Sequence, residues 1–284
     1  MQAIGHIHST EESIMDLGLK NKRVLVTGAS NGIGAETAHL LAAEGAIVGV
    51  HGRDEKRIQT VVDAIRKSGG EAHPLPADIY DAAAVEALAD AAIAALGQID
   101  ILVCNAGGAS RTDAQGWEDY TVEDYARTYQ LNVTSSMQLI KRLAPGMRER
   151  GHGRIILISS AAALEPQAGQ PDYGAAKAAM ISLVVSTSKW LRNSGVTING
   201  ISPGAVLTPG LEGFLQSTAK RRGWSGDLEA IEKTAAQSMF RIPVGRVGRA
   251  SEIAGMVAYL SSDWAGYIHG ANIHINGGVI GTFT

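Results

Sequence analysis

Arg23-Val24-Leu25-Val26-Thr27, followed at once by Gly28-Ala29-Ser30-Asn31-Gly32-Ile33-Gly34, is the stretch on which the fold turns. The first five residues read as a short buried strand, and a helical pattern runs from Ile33 to Glu44. Strand, glycine turn and helix N-terminus together make a cradle for a pyrophosphate. The glycines permit a tight turn and close backbone approach, and the first helical N–H groups face the anion. The spacing here is Gly-x-x-x-Gly-x-Gly, which departs from the common dinucleotide fingerprint Gly-x-Gly-x-x-Gly. A glycine-rich turn with no ligand has similar letters; the strand before and the helix after argue against it.

Working outward, the chain alternates. Strand-like runs are Arg23–Thr27, Ile47–His51, Glu71–Ala77, Ile99–Cys104, Arg154–Ser159, Thr197–Ser202 and Asn272–Ile275. Helical runs are Ile33–Glu44, Glu55–Ser68, Ala82–Leu96, Val122–Arg150, Tyr173–Asn193 and Ser251–Ser261. The alternation predicts an α/β fold, a doubly wound parallel sheet with helices on both faces, in a single domain. Ligands in such sheets bind outside the carboxyl ends of the strands. Residues 209–240 are the irregular part. They hold Gly210, Gly213, Gly223 and Gly226 and show no strong helical period until about Leu228.

A chain of 284 residues with 45% hydrophobic content suits one domain of the larger kind. A net charge of -3 gives no reason to expect nucleic acid or an anionic membrane as partner. The single cysteine, Cys104, precludes an internal disulfide, fits a reducing cytoplasmic setting and reads as a small buried filler. No apolar run approaches the length of a membrane span. Residues 1–19 read as a flexible N-terminal tail, and residues 20–284 as the folded domain. His6 and His8 lie in that tail with no third ligand, so no metal site is expected.

Tyr173 and Lys177 stand four residues apart in Pro171-Asp172-Tyr173-Gly174-Ala175-Ala176-Lys177. On a helix they share a face. The ammonium is expected to favour the ionised phenol and lower its pKa, so that Tyr173 can exchange a proton with an alcohol oxygen. Tyr and Lys at this spacing also arise on solvated helix faces, so the pair depends on its company.

That company resembles the short-chain dehydrogenase/reductase family. The family's Thr-Gly-x-x-x-Gly-x-Gly turn is matched by Thr27 to Gly34, and its Asn-Ala-Gly after the fourth strand by Asn105-Ala106-Gly107. Its helix Asn is matched by Asn132, its Ser thirteen residues before the Tyr by Ser160, and its Tyr-x-x-x-Lys by Tyr173 and Lys177. A Pro-Gly followed by a hydroxyl residue is matched by Pro203, Gly204 and Thr208. The match runs from about Lys20 to Gly278. It implies a Rossmann-type fold and a ketone–alcohol oxidoreductase that uses a nicotinamide dinucleotide. By that resemblance Tyr173 is the acid/base, Ser160 bonds the substrate oxygen, Lys177 holds the nicotinamide ribose, and Asn132 supports a water that refills the proton. Asp78 and Ile79 are expected at the adenine, and Asn105 and Gly107 at its ribose. Ser30, Asn31, Gly32, Ile33 and Gly34 are expected at the phosphates, with Val206 and Thr208 at the nicotinamide side.

The choice of cofactor rests on Val48-Gly49-Val50-His51-Gly52-Arg53-Asp54. Enzymes specific for NAD carry an acid at the end of the second strand, which repels a 2′-phosphate. That position here is Gly52, and Arg53 can fork onto a phosphate, so NADP(H) is preferred. NAD stays possible because Asn31 occupies a place where NADP enzymes often carry a second basic residue. The resemblance places the substrate, a small carbonyl or alcohol compound, among Gly108 to Arg111, the loop from Ala161 to Asp172 with Glu165, and the segment after Thr208 with Phe214, Trp224 and Met239. Lys220, Arg221 and Arg222 read as a solvated helix face. Alternative readings are a 3-oxoacyl-thioester (carrier-protein) reductase and a non-catalytic dinucleotide-sensing regulator. Family members usually pair long helices across a two-fold axis, which implies a homotetramer or dimer through Val122–Arg150 and Tyr173–Asn193. Residues 209–240 are expected to form a mobile lid, with Trp224 as its plug.

Overall fold

The computed structural model describes residues 16–109 and 116–280. The predicted tail is outside the described residues up to position 15, and so are Ser110 and Arg111 of the predicted substrate region. The strands are β1 (Arg23–Val26), β2 (Ile47–Gly52), β3 (Glu71–Pro76), β4 (Ile101–Cys104), β5 (Gly153–Ile158), β6 (Val196–Pro203), β7 (Val206–Leu207), β8 (Gly248–Arg249) and β9 (Asn272–Ile275). The helices are α1 (Gly32–Ala43), α2 (Glu55–Lys67), α3 (Ala82–Leu96), α4 (Val122–Tyr129), α5 (Ser135–Glu149), α6 (Pro171–Trp190), α7 (Pro209–Arg222), α8 (Leu228–Thr234) and α9 (Ala250–Ser261).

Among the described residues, seven strands form one sheet in the order β3-β2-β1-β4-β5-β6-β9, every pairing parallel. Strand order reverses direction between β1 and β4, which opens a crevice at their carboxyl ends. The apolar runs of the central strands split between two core layers by simple alternation. Val24 and Val26 face one layer with Ile101, Val103, Ile156 and Ile158, under α1, α2 and α9. Leu25 faces the other with Leu102, Cys104, Ile155 and Leu157, under α3, α5 and α6. Cys104 is the buried filler expected, and burial pushes its thiol up to about 12.

The folded part begins earlier than position 20. Leu19 is buried in the core, and the Trp264 indole donates to the Asp16 carbonyl at 2.8 Å. An apolar side chain buried in the core belongs to the domain, whatever the composition around it.

Two helical expectations change. The single helix expected over 122–150 is α4 and α5 joined by a π turn at Gln130–Thr134. One extra residue in that turn rotates Asn132 inward, which a uniform 3.6-residue pattern does not reveal. Residues 209–222, expected to be irregular, form α7. The start and stop signals are all present: Thr208 caps the Leu211 N–H, Pro209 takes the first turn, and Gly223 ends the helix in the left-handed conformation (φ 68°). Lys220, Arg221 and Arg222 fill the last turn, where cations suit the helix dipole, and are exposed as expected. Two glycines at 210 and 213 weaken a helix without abolishing it when its ends are this well defined.

Candidate active site

The crevice beside β1 is a cleft of about 510 Å³, within the range of small-molecule sites. Its floor is the turn after β1. Gly28 and Gly32 both take positive φ (63° and 54°), which admits the turn without strain. Gly34 lies so close to the turn that a β-carbon there would stand 2.3 Å from the Gly28 carbonyl oxygen. Asn105, just after β4, fastens the turn: its side-chain amide donates to Thr27 O (2.9 Å) and Gly28 O (3.0 Å). Thr27 answers through its hydroxyl, which accepts from the Asn105 and Ala106 N–H groups at 3.0 Å each. The Asn-Ala-Gly motif is thus a structural bracket on the glycine turn. Asn31 stands at the α1 N-cap and makes no side-chain cap bond, so the first N–H groups of α1 open onto the cleft. An anion is well served at such an end.

The catalytic candidates meet at the opposite end. Ser160 follows β5, and its Oγ accepts the Ala162 N–H at 3.1 Å, which sets its direction. Its hydroxyl acts on the Tyr173 phenol and favours the ionised form. Lys177 is fully enclosed and donates to the Ile158 carbonyl at 2.8 Å, while Ser159 Oγ donates to the Lys177 carbonyl at 2.8 Å. These two bonds dock α6 on the end of β5 and hold Tyr173 facing Ser160. Asn132 is buried behind Gly107. Its side-chain amide donates to Gly108 O and Thr128 O at 2.8 Å each, and its Oδ1 accepts the Gly108 N–H at 3.2 Å. A β-carbon on Gly107 would meet Asn132 Oδ1 at 2.5 Å and Lys177 Nζ at 2.8 Å, so that glycine is the gap through which the two side chains face each other.

The electrostatics differ from the sequence expectation. The Tyr173 phenol is pushed up, not down: burial among its neighbours raises it, and the Ser160 bond opposes this only in part. Burial also pulls the Lys177 ammonium down to about 7, and the Coulombic influence of Cys104 opposes this only in part. The ammonium stands 5.5 Å from the Tyr173 ring centroid and spends a bond on Ile158. Desolvation therefore outweighs the charge that i,i+4 spacing alone suggests.

Nearly all the cofactor candidates line this one cleft: Gly28, Ser30, Asn31, Gly32, Ile33, Gly34, Arg53, Ile79, Asn105, Gly107, Pro203, Gly204, Val206 and Thr208, together with Ser160, Tyr173 and Lys177. Two stand apart. Asn132 is behind the wall, and Asp78 is exposed beside it, its carboxylate bonded to the Tyr80 N–H at 3.1 Å. Expected lid residues contribute little. From residues 209–240 only Gly210 lines the cleft, and Trp224 is half-buried against Arg222 instead of plugging the opening. Phe214 is 40% exposed and Glu165 is exposed. The sequence reading gave no role to His51, Leu131, Ile158 and Ser159, which line the walls. A histidine inside an otherwise apolar strand was the available signal for His51.

Comparisons with known proteins agree with this geometry. A family model described as enoyl-(acyl carrier protein) reductase matches residues 28–280. The chain is 38% identical over 260 residues to the short-chain reductase protein NovJ of Streptomyces niveus, covering 89% of this chain and 92% of that one. It is 34% identical over 263 residues to the 3-oxoacyl-(acyl-carrier-protein) reductase FabG of Escherichia coli, covering 93% and 99%. Its fold is similar to the crystal structure of L-sorbose reductase from Gluconobacter frateurii complexed with NADPH and L-sorbose, with a TM-score of 0.88 and 28% identity over 95% of this chain and 100% of that one. From its cleft, its sheet and these relatives alike, the chain belongs to the short-chain dehydrogenase/reductase family of oxidoreductases.

Proposed function

We propose that the protein is an NADP(H)-preferring oxidoreductase that interconverts a ketone and a secondary alcohol, with Tyr173 as the acid/base. The observation that carries this reading is the meeting of Ser160, Tyr173 and Lys177 at one end of a cleft whose other end is the glycine turn. The cleft suits a dinucleotide: its floor is a backbone surface where side chains would collide, and an uncapped helix N-terminus opens onto it. A bound nicotinamide supplies the hydride. The chain's own residues do the rest. Ser160 bonds the carbonyl oxygen of the substrate and fixes it beside the phenol. Tyr173, kept protonated at neutral pH by burial, donates its proton to that oxygen as charge develops. Lys177 faces the ribose region and, with Asn132, lies on the route by which the phenol regains its proton.

The preference for NADP(H) is supported at the end of β2. A side chain on Gly52 would meet Ser30 at 3.0 Å, so the acid that serves NAD does not fit without movement. Arg53 lines the cleft, its guanidinium 5.4 Å from the Tyr80 ring centroid. Arg53→Ala is expected to weaken NADPH binding about tenfold and leave NADH nearly unaffected, the loss of one charge-assisted phosphate contact. Equal effects on both cofactors in a titration would remove Arg53 from that role.

A 3-oxoacyl-thioester (carrier-protein) reductase is the second reading, favoured by the likeness to the Escherichia coli reductase. A panel of free ketones and acyl thioesters, followed by loss of NADPH absorbance, separates the two. No turnover of either would leave the non-catalytic sensor. We place the protein in the cytoplasm; no helix among the described residues is long and apolar enough to cross a membrane.

A homotetramer or dimer built on α4, α5 and α6 is supported by exposed Val122 and Tyr129 on α4 and exposed Val185 and Trp190 on α6. Light scattering at micromolar concentration should give a dimer or larger; a monomer refutes it. The α7–α8 pair is the proposed lid, closing as a helical unit from Thr208. Amide exchange in α7 should slow when NADPH binds, and equal protection with and without it would make the pair a fixed wall.

A further inference from the structure

His51 is the last-but-one residue of β2, buried to 1% exposure, and it lines the cleft. Its Nδ1 accepts the Gly28 N–H at 3.2 Å. Its Nε2 stands 3.2 Å from the Ala77 carbonyl, which can only accept, so the ring proton sits on Nε2 and points there. Burial pulls the imidazole down to about 4, so at neutral pH it is uncharged and Nδ1 keeps its lone pair. The strand itself adds a third tie, from the Ala29 N–H to the His51 carbonyl at 2.7 Å.

We propose that His51 is a positioning residue for the dinucleotide, a clamp that holds the glycine turn at a set distance from the adenine wall. Gly28 is held through both of its backbone polar groups. His51 takes its N–H and Asn105 takes its carbonyl. On the other side, Ala77 leads directly into Asp78 and Ile79, and Ile79 lines the cleft where the adenine is expected. One imidazole thus joins the phosphate floor to the adenine edge. No aliphatic side chain can do this, because the turn offers a donor and the wall an acceptor. A hydroxyl or thiol at this place is too short to reach both. The inference rests on the reading of the cleft as a dinucleotide site and asks what sets its width.

Two substitutions and one cofactor-free measurement test it. His51→Leu removes both bonds. His51→Asn places a carbonyl oxygen where Nδ1 stands and restores the Gly28 bond alone. For the leucine variant the dissociation constant and KM for NADPH should rise about tenfold, the effect of leaving one buried N–H unpaired. The kcat at saturating NADPH should change far less. The asparagine variant should recover most of the lost affinity. In the cofactor-free protein, the Gly28 amide should exchange slowly in the wild type and the asparagine variant, and fast in the leucine variant. Unchanged affinity and unchanged Gly28 exchange in the leucine variant would overturn the clamp. So would an equal loss in both variants, since that is what a purely space-filling role produces. If wild-type protein binds neither NADPH nor NADH, the function proposed above fails, while the Gly28 exchange still judges the clamp by itself.

Discussion

Replacing Tyr173 by Phe is expected to leave NADPH affinity nearly unchanged and to lower turnover by about 10²–10⁴-fold, the range that a positioned general acid contributes. Ser160 acts on the phenol, and its own direction is set by the Ala162 N–H. Remove the hydroxyl, and the substrate oxygen keeps one donor but loses its proton source. The ring stays, so α6 still docks: the bonds from Lys177 to Ile158 and from Ser159 to Lys177 involve no atom of Tyr173. Binding and chemistry should therefore separate in the data. Single-turnover kinetics with saturating NADPH and a titration of cofactor binding together make the measurement. Activity within a few-fold of wild type would take the acid/base role away from Tyr173. A parallel collapse of NADPH affinity would show that the hydroxyl serves the cofactor instead.

Gly34→Ala is expected to abolish measurable cofactor binding, a loss of at least about 10²-fold, and to destabilise the fold by about 1–3 kcal/mol, as overpacking a tight site does. The added methyl would stand 2.3 Å from the Gly28 oxygen and 2.4 Å from the Asn105 side-chain nitrogen. Neither can retreat easily. Gly28 O is held by Asn105, and Asn105 also holds Thr27 O. The clash thus lands on the bracket that shapes the phosphate floor. Thermal unfolding and a NADPH titration report the two consequences. A variant with wild-type melting and affinity would mean that the turn is softer than its bonds indicate.

Most residues named from the sequence as site candidates come together in one cleft, and the reason is local. The glycine turn, Asn105-Ala106-Gly107, Ser160 and the Tyr173/Lys177 pair each sit at or just after a strand end, and a parallel sheet gathers its strand ends on one edge. Ala82–Leu96 matched its helix to the residue because Asp81 caps it at one end and Gly97 ends it at the other. Misreadings have local causes too. Residues 209–222 carry a cap, a first-turn proline and a terminal glycine, and these ends outweigh the helix-weakening Gly210 and Gly213. Asn132 was expected in an even helix, whereas a π turn aims it at Gly108.

What the sequence determined by itself is the alternating strand–helix order, the two-layer core and the set of residues that meet at the strand ends. These depend on period, spacing and caps, which are properties of neighbours along the chain. Tertiary structure alone decided the chemistry of those residues. The Tyr173 phenol is pushed up and the Lys177 ammonium down because both are enclosed, and enclosure is a sum over many distant neighbours. It alone joined His51 to Gly28 and Ala77, partners 23 and 26 residues away. Spacing brings a lysine onto the face of a tyrosine. Whether charge or desolvation then governs the proton depends on how much water the fold leaves between them, and no stretch of sequence contains that quantity.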